Sequence, residues 1–138
     1  MLRIKDVMAQ PVISVAPNSL IEDALDLMLT NSISGLPVVD ENKRLVGLIS
    51  EFDILMLLDE DPDEFRLIEP VVNLMTAEVD TIDEEQPLQT AAKLFWEGSL
   101  RRLPVLREGE LVGMVSRRDV VRVIRQERLR MALRRCEF

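Results

Sequence analysis

Leu45-Val46-Gly47-Leu48-Ile49-Ser50-Glu51-Phe52-Asp53 returns 66 residues later as Leu111-Val112-Gly113-Met114-Val115-Ser116-Arg117-Arg118-Asp119. The match widens on both sides of this stretch. Leu36-Pro37-Val38-Val39 realigns on Leu103-Pro104-Val105-Leu106, Ala24-Leu25 on Ala91-Ala92 and Val7-Met8 on Leu74-Met75, all at an offset of 67. One residue lost from the intervening turn accounts for the change of offset. So many matches in order mark an internal duplication.

Each copy reads as strand, helix, strand, strand, helix. Val12-Ile13-Ser14-Val15 is a short β-branched run that predicts a strand. Ser19 with Glu22 has the spacing of a capping box, and Ile21, Ala24, Leu25, Met28 and Leu29 then follow helical periodicity. In the second copy Pro87 suits a first helical position and Gly98 a closing turn, around the set Leu88, Ala91, Ala92, Phe95 and Trp96. Two strands follow in each copy, joined by the polar turns 40–44 and 107–110, with Pro37 and Pro104 placed where strands open. The last helix of each copy starts near Ser50 or Ser116. The expected fold class is therefore α+β, two β-α-β-β-α repeats that pack with pseudo-two-fold symmetry because neither is long enough for a core of its own. The expected division is a first repeat over 1–58, an acidic linker over 59–69, a second repeat over 70–126 and a basic helical tail over 127–138. Five of the six residues from Asp59 to Glu64 are carboxylates. A hard cation such as Mg²⁺ suits that chemistry, but a solvated, self-repelling linker is the simpler account.

Composition narrows the chemistry. Of the 138 residues 47% are hydrophobic but only 4% aromatic, so the core is aliphatic. No apolar run approaches the roughly 20 residues that span a bilayer, and no charged-then-apolar leader opens the sequence, which points to the cytoplasm. The absence of histidine removes His-dependent triads and His-ligated metals, and the single cysteine removes disulfide frameworks and cysteine-cluster metal sites. No catalytic residue and no metal ligand is assigned. The net charge of −8 is unevenly spread: residues 1–116 carry 9 basic and 22 acidic side chains, whereas 117–138 carry 8 arginines and 3 acids. An acidic body disfavours a broad nucleic-acid surface, and the basic tail keeps a local one open.

With both copies laid out, the sequence resembles a pair of CBS (cystathionine β-synthase) domains, also called a Bateman module, over residues 4–126. Asp6-Val7-Met8, Ser34-Gly35-Leu36-Pro37-Val38-Val39-Asp40 and Leu45 to Asp53 carry the resemblance in the first copy. Asn73-Leu74-Met75, Leu100-Arg101-Arg102-Leu103-Pro104-Val105 and Leu111 to Asp119 carry it in the second. The resemblance implies a non-catalytic regulatory module of the stand-alone type. Its cleft would hold AMP, ADP, ATP or S-adenosylmethionine as a regulatory ligand rather than a required cofactor. It also implies a homodimer that reports to an unknown regulated enzyme or transporter.

The candidate ligand chemistry centres on Ser116-x-x-Asp119 and its counterpart Ser50-x-x-Asp53. A carboxylate offers two acceptor oxygens to the two hydroxyls of a ribose, and a serine at a strand-to-helix junction lies near amides that favour an anion. The same pattern is also a plain helix cap, and the two roles are compatible. Arg101, Arg102, Arg117 and Arg118 flank the second copy's strands, where guanidinium forks suit phosphate oxygens. The resemblance assigns Asp119, Ser116, Met114, Arg102, Arg101 and Arg118 to a primary site, with Ile33, Ser34, Ile13 and Met8 contributed around it. A weaker twin takes Asp53, Ser50, Leu48, Leu100, Arg101 and Asp80. The twin has Gly35 where the primary site has Arg102 and Asp80 where it has Ile13, so S-adenosylmethionine or an uncharged ligand suits it better than a phosphate.

Met28, Leu29, Phe95 and Trp96 are assigned to core or subunit interface. Two other function classes compete with the sensor. One is a nucleic-acid or protein docking module, with Arg118, Arg122, Arg125, Arg128 and Arg135 broadly on one side of the terminal helix. The other is an enzyme, for which nothing places two carboxylates in separated environments of one apolar cleft.

Overall fold

A computed structural model describes residues 2–59, 66–98 and 100–136. Its elements are α1 (Ile4–Val7), α2 (Ile21–Asn31), β1 (Gly35–Val39), β2 (Leu45–Ser50), α3 (Glu51–Leu55), β3 (Ile82–Asp83), α4 (Leu88–Glu97), β4 (Arg102–Arg107), β5 (Glu110–Ser116) and α5 (Arg117–Cys136). Short 3₁₀ turns at Met56–Asp59, Arg66–Ile68 and Val71–Asn73 connect the repeats. Most of the acidic linker lies outside the described residues. The tail expected from residue 127 continues α5 without a break.

The chain divides into two units, and each takes residues from both repeats. Unit 1 comprises Met1–Val12, Asp80–Arg107 and Val112–Phe138; unit 2 comprises Ile13–Val79 and Glu108–Leu111. The segment that opens each repeat therefore belongs to the unit formed by the other repeat. In unit 1, Ile4 N–H donates to Gln86 O (2.9 Å), Lys5 N–H to Glu84 O (3.0 Å) and Leu88 N–H to Leu2 O (3.3 Å). In unit 2 the equivalent bonds are Val71 to Ser19 (2.7 Å), Val72 to Pro17 (3.0 Å) and Ile21 to Glu69 (2.9 Å).

The two cores correspond position by position. Unit 1 buries Ile4, Ile82, Ala91, Phe95, Leu103, Val105 and Val115 where unit 2 buries Val71, Val15, Ala24, Met28, Leu36, Val38 and Ile49. Each such large aliphatic side chain contributes about 1.5–3 kcal/mol on burial, which makes these positions the reason both repeats keep one pattern. In unit 2 the core lies between α2 and the antiparallel pair β1–β2. In unit 1 it lies against α4 and the three-stranded sheet β3-β4-β5, whose β3 runs parallel to β4.

Three local expectations change. The run Val12–Val15 makes a single parallel bridge, Val15 to Val38, rather than a strand, because Pro11 and Pro17 flank it closely. Ser19 does not cap α2: its hydroxyl accepts from Ala16 N–H (3.0 Å), the N-cap is Leu20, and Glu69 O takes the Ile21 amide. Pro37 sits in the middle of β1 and Pro104 inside β4. Pro37 O accepts from Val15 N–H (3.1 Å), so its missing donor faces the edge where the pairing is one bridge long. Of the four residues assigned to core or subunit interface, Met28 and Phe95 are buried in the cores, and Leu29 and Trp96 are 69% and 74% exposed.

One glycine pair explains why the opening segments stay in place. A side chain at Gly47 would meet Met75 Sδ at 2.6 Å and Thr76 O at 2.8 Å, and one at Gly113 would collide with the Met8 side chain. Each repeat's Val-Met or Leu-Met segment thus lies directly on the glycine of the other repeat's last strand. Antiparallel bridges fix the register beside it, Leu48 to Thr76 in unit 2 and Ala9 to Met114 in unit 1.

Candidate functional site

The two repeated Ser-x-x-Asp segments are built alike, at the junction of a strand with the helix after it. In unit 2, Ser50 is the N-cap of α3: Asp53 N–H donates to Ser50 Oγ (3.3 Å) and Ser50 N–H to Asp53 Oδ2 (2.8 Å). In unit 1, at the start of α5, Asp119 N–H donates to Ser116 Oγ (3.1 Å) and Ser116 N–H to Asp119 Oδ2 (2.8 Å). Capping is therefore real at both places, and it fixes each carboxylate by one oxygen. The second oxygen distinguishes them. Asp53 Oδ1 accepts from the Thr76 hydroxyl (3.3 Å), a residue of the segment that opens the second repeat. Asp119 Oδ1 accepts from Arg122 Nη1 (3.2 Å), one turn further along α5.

Within unit 1 the fold gathers most of the primary set. Met114 lies on β5, and its bridge to Ala9 sets the adjacent Met8 over Gly113. Arg101 precedes β4, the half-buried Arg102 opens it, and the exposed Arg118 stands beside Asp119 in the first turn of α5. Arg117 N–H donates to Arg101 O (3.0 Å), which joins the start of β4 to the start of α5. Ile13, Ile33 and Ser34 belong to unit 2. Ile33 N–H donates to Met28 O (3.0 Å), and Ser34 O accepts from Glu51 N–H (2.9 Å), the counterpart of the Arg117–Arg101 bond. Ile13 is 36% exposed. Of the twin set, Asp53, Ser50 and the buried Leu48 lie together in unit 2, whereas Leu100, Arg101 and the exposed Asp80 belong to unit 1.

Three residues outside the assigned set bear on this site. Arg117 points its guanidinium at carbonyls, as Nε donates to Leu100 O (2.9 Å) and Nη2 to Phe95 O (3.3 Å). Thr76 and Arg122 hold the two carboxylates. All three fall where the repeats differ, against Glu51, Ala9 and Met56; the sequence marks Arg117 and Arg122 as candidate cations but carries no signal for Thr76. A concavity of about 780 Å³ in unit 2, bounded by Ser14, Asp23, Leu27 and Asp40 among others, contains none of the assigned residues. It opens at the Val39 end of β1, the opposite end from Gly35, the residue paired with Ser50.

Among the described residues no group of three or more acidic, His or Cys side chains is arranged to hold a metal ion. Among them also, no helix is long and apolar enough to cross a membrane.

A helix, a pair of antiparallel strands and a serine-capped aspartate at the strand-to-helix junction thus occur twice along the chain. The CBS domain family matches residues 4–60 and 71–126, and the chain belongs to it. The chain is 33% identical to the CBS domain-containing protein CBSX1, chloroplastic, of Arabidopsis thaliana, over 81% of this chain and 58% of that protein. It spans about half the length of the first curated relatives it matches, 58% of one and 42% of another. The crystal structure of CBSX2 in complex with AMP superposes with a TM-score of 0.82 at 34% identity, covering 91% of this chain and 98% of that one. The CBS domain pair of protein MJ0100, in complex with 5′-methylthioadenosine and S-adenosyl-L-methionine, superposes with a TM-score of 0.79 at 27% identity, covering 91% and 98%.

Proposed function

We propose that this chain is a non-catalytic regulatory module whose Asp119 site binds an adenosine phosphate, AMP, ADP or ATP. The observation that carries the reading is the arrangement in unit 1. A carboxylate held by its own helix cap stands on α5 beside Arg118, and a backbone bond ties that helix start to the Arg101-Arg102 stretch. A ribose diol needs the first and a phosphate needs the second. The AMP-bound relative supports the ligand class. Asp53, Ser50 and Leu48 form the weaker twin in unit 2. Phe52 stands there where unit 1 has Arg118, so S-adenosylmethionine or an uncharged adenosine compound suits it better than a phosphate. The module works as a cytoplasmic homodimer and reports to a regulated enzyme or transporter. Exposed apolar side chains at equivalent places in both units, Leu29 with Trp96 and Leu58 with Ile124, favour a second copy as the cover.

The test is thermal unfolding of the full chain with adenosine, AMP, ADP, ATP and S-adenosylmethionine in turn. A ligand held only by the folded state adds about 2.7 kcal/mol at 100 times its Kd. For a chain of this size that raises Tm by roughly 5–10 °C. No shift with any of the five at millimolar concentration overturns the reading.

A further inference from the structure

Arg117 is the first residue of α5, between the capping serine and the arginine next to Asp119. It makes three bonds to the last turn of α4 and the connection from it to β4. Its backbone N–H donates to Arg101 O (3.0 Å), its Nε to Leu100 O (2.9 Å) and its Nη2 to Phe95 O (3.3 Å). Helix α4 closes on Gly98, whose φ of −112° lies outside the left-handed region, with Gly98 N–H donating to Leu94 O (3.1 Å). The Phe95 carbonyl, in the last turn of α4, accepts from the Arg117 guanidinium.

In unit 2 the end of α2 is held by other bonds. Helix α2 ends on Ser32 in the left-handed conformation (φ 53°), Asn31 Nδ2 donates to Leu27 O (2.8 Å), and Ile33 N–H bonds Met28 O (3.0 Å). The counterpart of Arg117 is Glu51. It keeps the backbone bond, to Ser34 O at 2.9 Å, but its carboxylate has no donor for carbonyl oxygens.

We infer that Arg117 is the positioning residue for phosphate in the Asp119 site: its forked bonds to Phe95 and Leu100 fix the chain that presents Arg101 and Arg102. This rests on the reading of that site as one for an adenosine phosphate. A planar guanidinium can direct Nε and Nη2 at two carbonyls at once, and an ammonium cannot reproduce that geometry. Arg117 then contributes to phosphate recognition through the placement of its neighbours rather than through its own charge.

Calorimetry of AMP and adenosine with the full-length wild type, Arg117→Ala and Arg117→Lys separates these roles. Circular dichroism confirms that each variant is folded. The ratio of the two dissociation constants is unaffected by a reduced folded fraction, so general destabilisation leaves it unchanged. Arg117→Ala is expected to weaken AMP by about tenfold and adenosine by about twofold or less, from the loss of a placed charge-assisted contact. Arg117→Lys, which keeps the charge and loses the fork, is expected to recover less than half of the AMP loss on a logarithmic scale. An unchanged AMP-to-adenosine ratio in Arg117→Ala overturns the inference and leaves the ligand reading intact. Full recovery in Arg117→Lys overturns positioning in favour of charge. If the wild type binds neither compound, the ligand reading falls and the inference with it.

Discussion

In unit 1 the carboxylate after the repeated serine turns its outer oxygen to a guanidinium; in unit 2 the equivalent oxygen takes a hydroxyl. The same division runs through the surroundings. Arg101, Arg102, Arg117, Arg118 and Arg122 stand where unit 2 has Ser34, Gly35, Glu51, Phe52 and Met56. Beneath this divergence seven buried positions correspond, and so do the backbone bonds that hold each opening segment. Duplication preserved what packing and backbone pairing require, and these side chains around each helix start were left to diverge. A few solvent-facing positions can therefore make two halves of one fold unequal at little cost in stability, because each surface substitution moves stability by only about half a kcal/mol or less.

That inequality is broken most directly at the two aspartates. Asp119→Ala is expected to weaken AMP binding by at least about tenfold, since a hydrogen bond to a charged group contributes about 1.5–3 kcal/mol. Asp53→Ala should do less, and Arg102→Ala should harm AMP far more than adenosine. Calorimetry on variants shown by circular dichroism to be folded reads all three. Loss of AMP binding in Asp53→Ala with full retention in Asp119→Ala would invert the site assignment.

The glycines test the opposite claim, that the packing of the two units is equivalent but not identical. At Gly47 an added methyl meets both the Met75 side chain and the Thr76 backbone carbonyl; at Gly113 the three nearest atoms all belong to the Met8 side chain. A thioether can swing aside, whereas a bridged backbone carbonyl cannot. Gly47→Ala is therefore expected to lose about 1–3 kcal/mol by overpacking. Gly113→Ala should lose less than half of that, with both values taken from urea midpoints. Equal losses would show that the Thr76 backbone yields as readily as a methionine.

These two glycines also mark the limit of what the sequence discloses. Gly47 and Gly113 align at once in a self-comparison, as do the leucine, proline and valine of each preceding strand, because burial forces the same residue types at the same spacing. The Ser-x-x-Asp caps are legible for a similar reason: the bonds span only three residues. The exchange of opening segments is not legible, since Met8 against Gly113 and Met75 against Gly47 are long-range contacts with no periodic signature. The capping box expected at Ser19 failed on the same account, because Glu69 from the exchanged segment satisfies the Ile21 amide instead. Leu29 and Trp96 continued a helical apolar pattern that the core does not use, as an exposed apolar face carries the same pattern as a buried one. Thr76 has no signal in the sequence, and Arg117 and Arg122 are visible there only as charges, because their bonds to the Phe95 and Leu100 carbonyls and to Asp119 depend on the fold.

The smallest expected effect comes from acid, and it falls unequally on the two units. Unit 1 holds Glu84, its carboxylate side 8% exposed, in a two-pronged pair with Arg107, Nε to Oε1 at 2.5 Å and Nη2 to Oε2 at 3.0 Å. Next to it Glu85 takes both Lys5 (2.8 Å) and Arg3 (2.5 Å) from the opening segment. Hydrogen bonding to Arg107 holds the Glu84 carboxyl below its ordinary value, and Lys5 followed by Arg3 does the same for Glu85, against a smaller opposing push from desolvation. Among the described residues unit 2 has one such group, Glu69 beside Arg66, likewise lowered. A carboxyl whose pKa is lower in the folded chain stabilises the fold above its unfolded pKa, and that contribution fades as pH falls through the folded pKa. Stability should therefore be flat above the ordinary carboxylate value of 4.5 and decline below it. Because two of the three lowered carboxyls anchor the opening segment and the β3–α4 connection of unit 1, amide exchange followed by mass spectrometry should show residues 2–12 losing protection before residues 66–79. Glu84→Gln keeps the shape and removes the titration, so the acid dependence of unit 1 should become shallower by at most one proton. If residues 66–79 open first, or the Gln variant titrates as the wild type does, the ionic anchoring of unit 1 is not what distinguishes its response to acid.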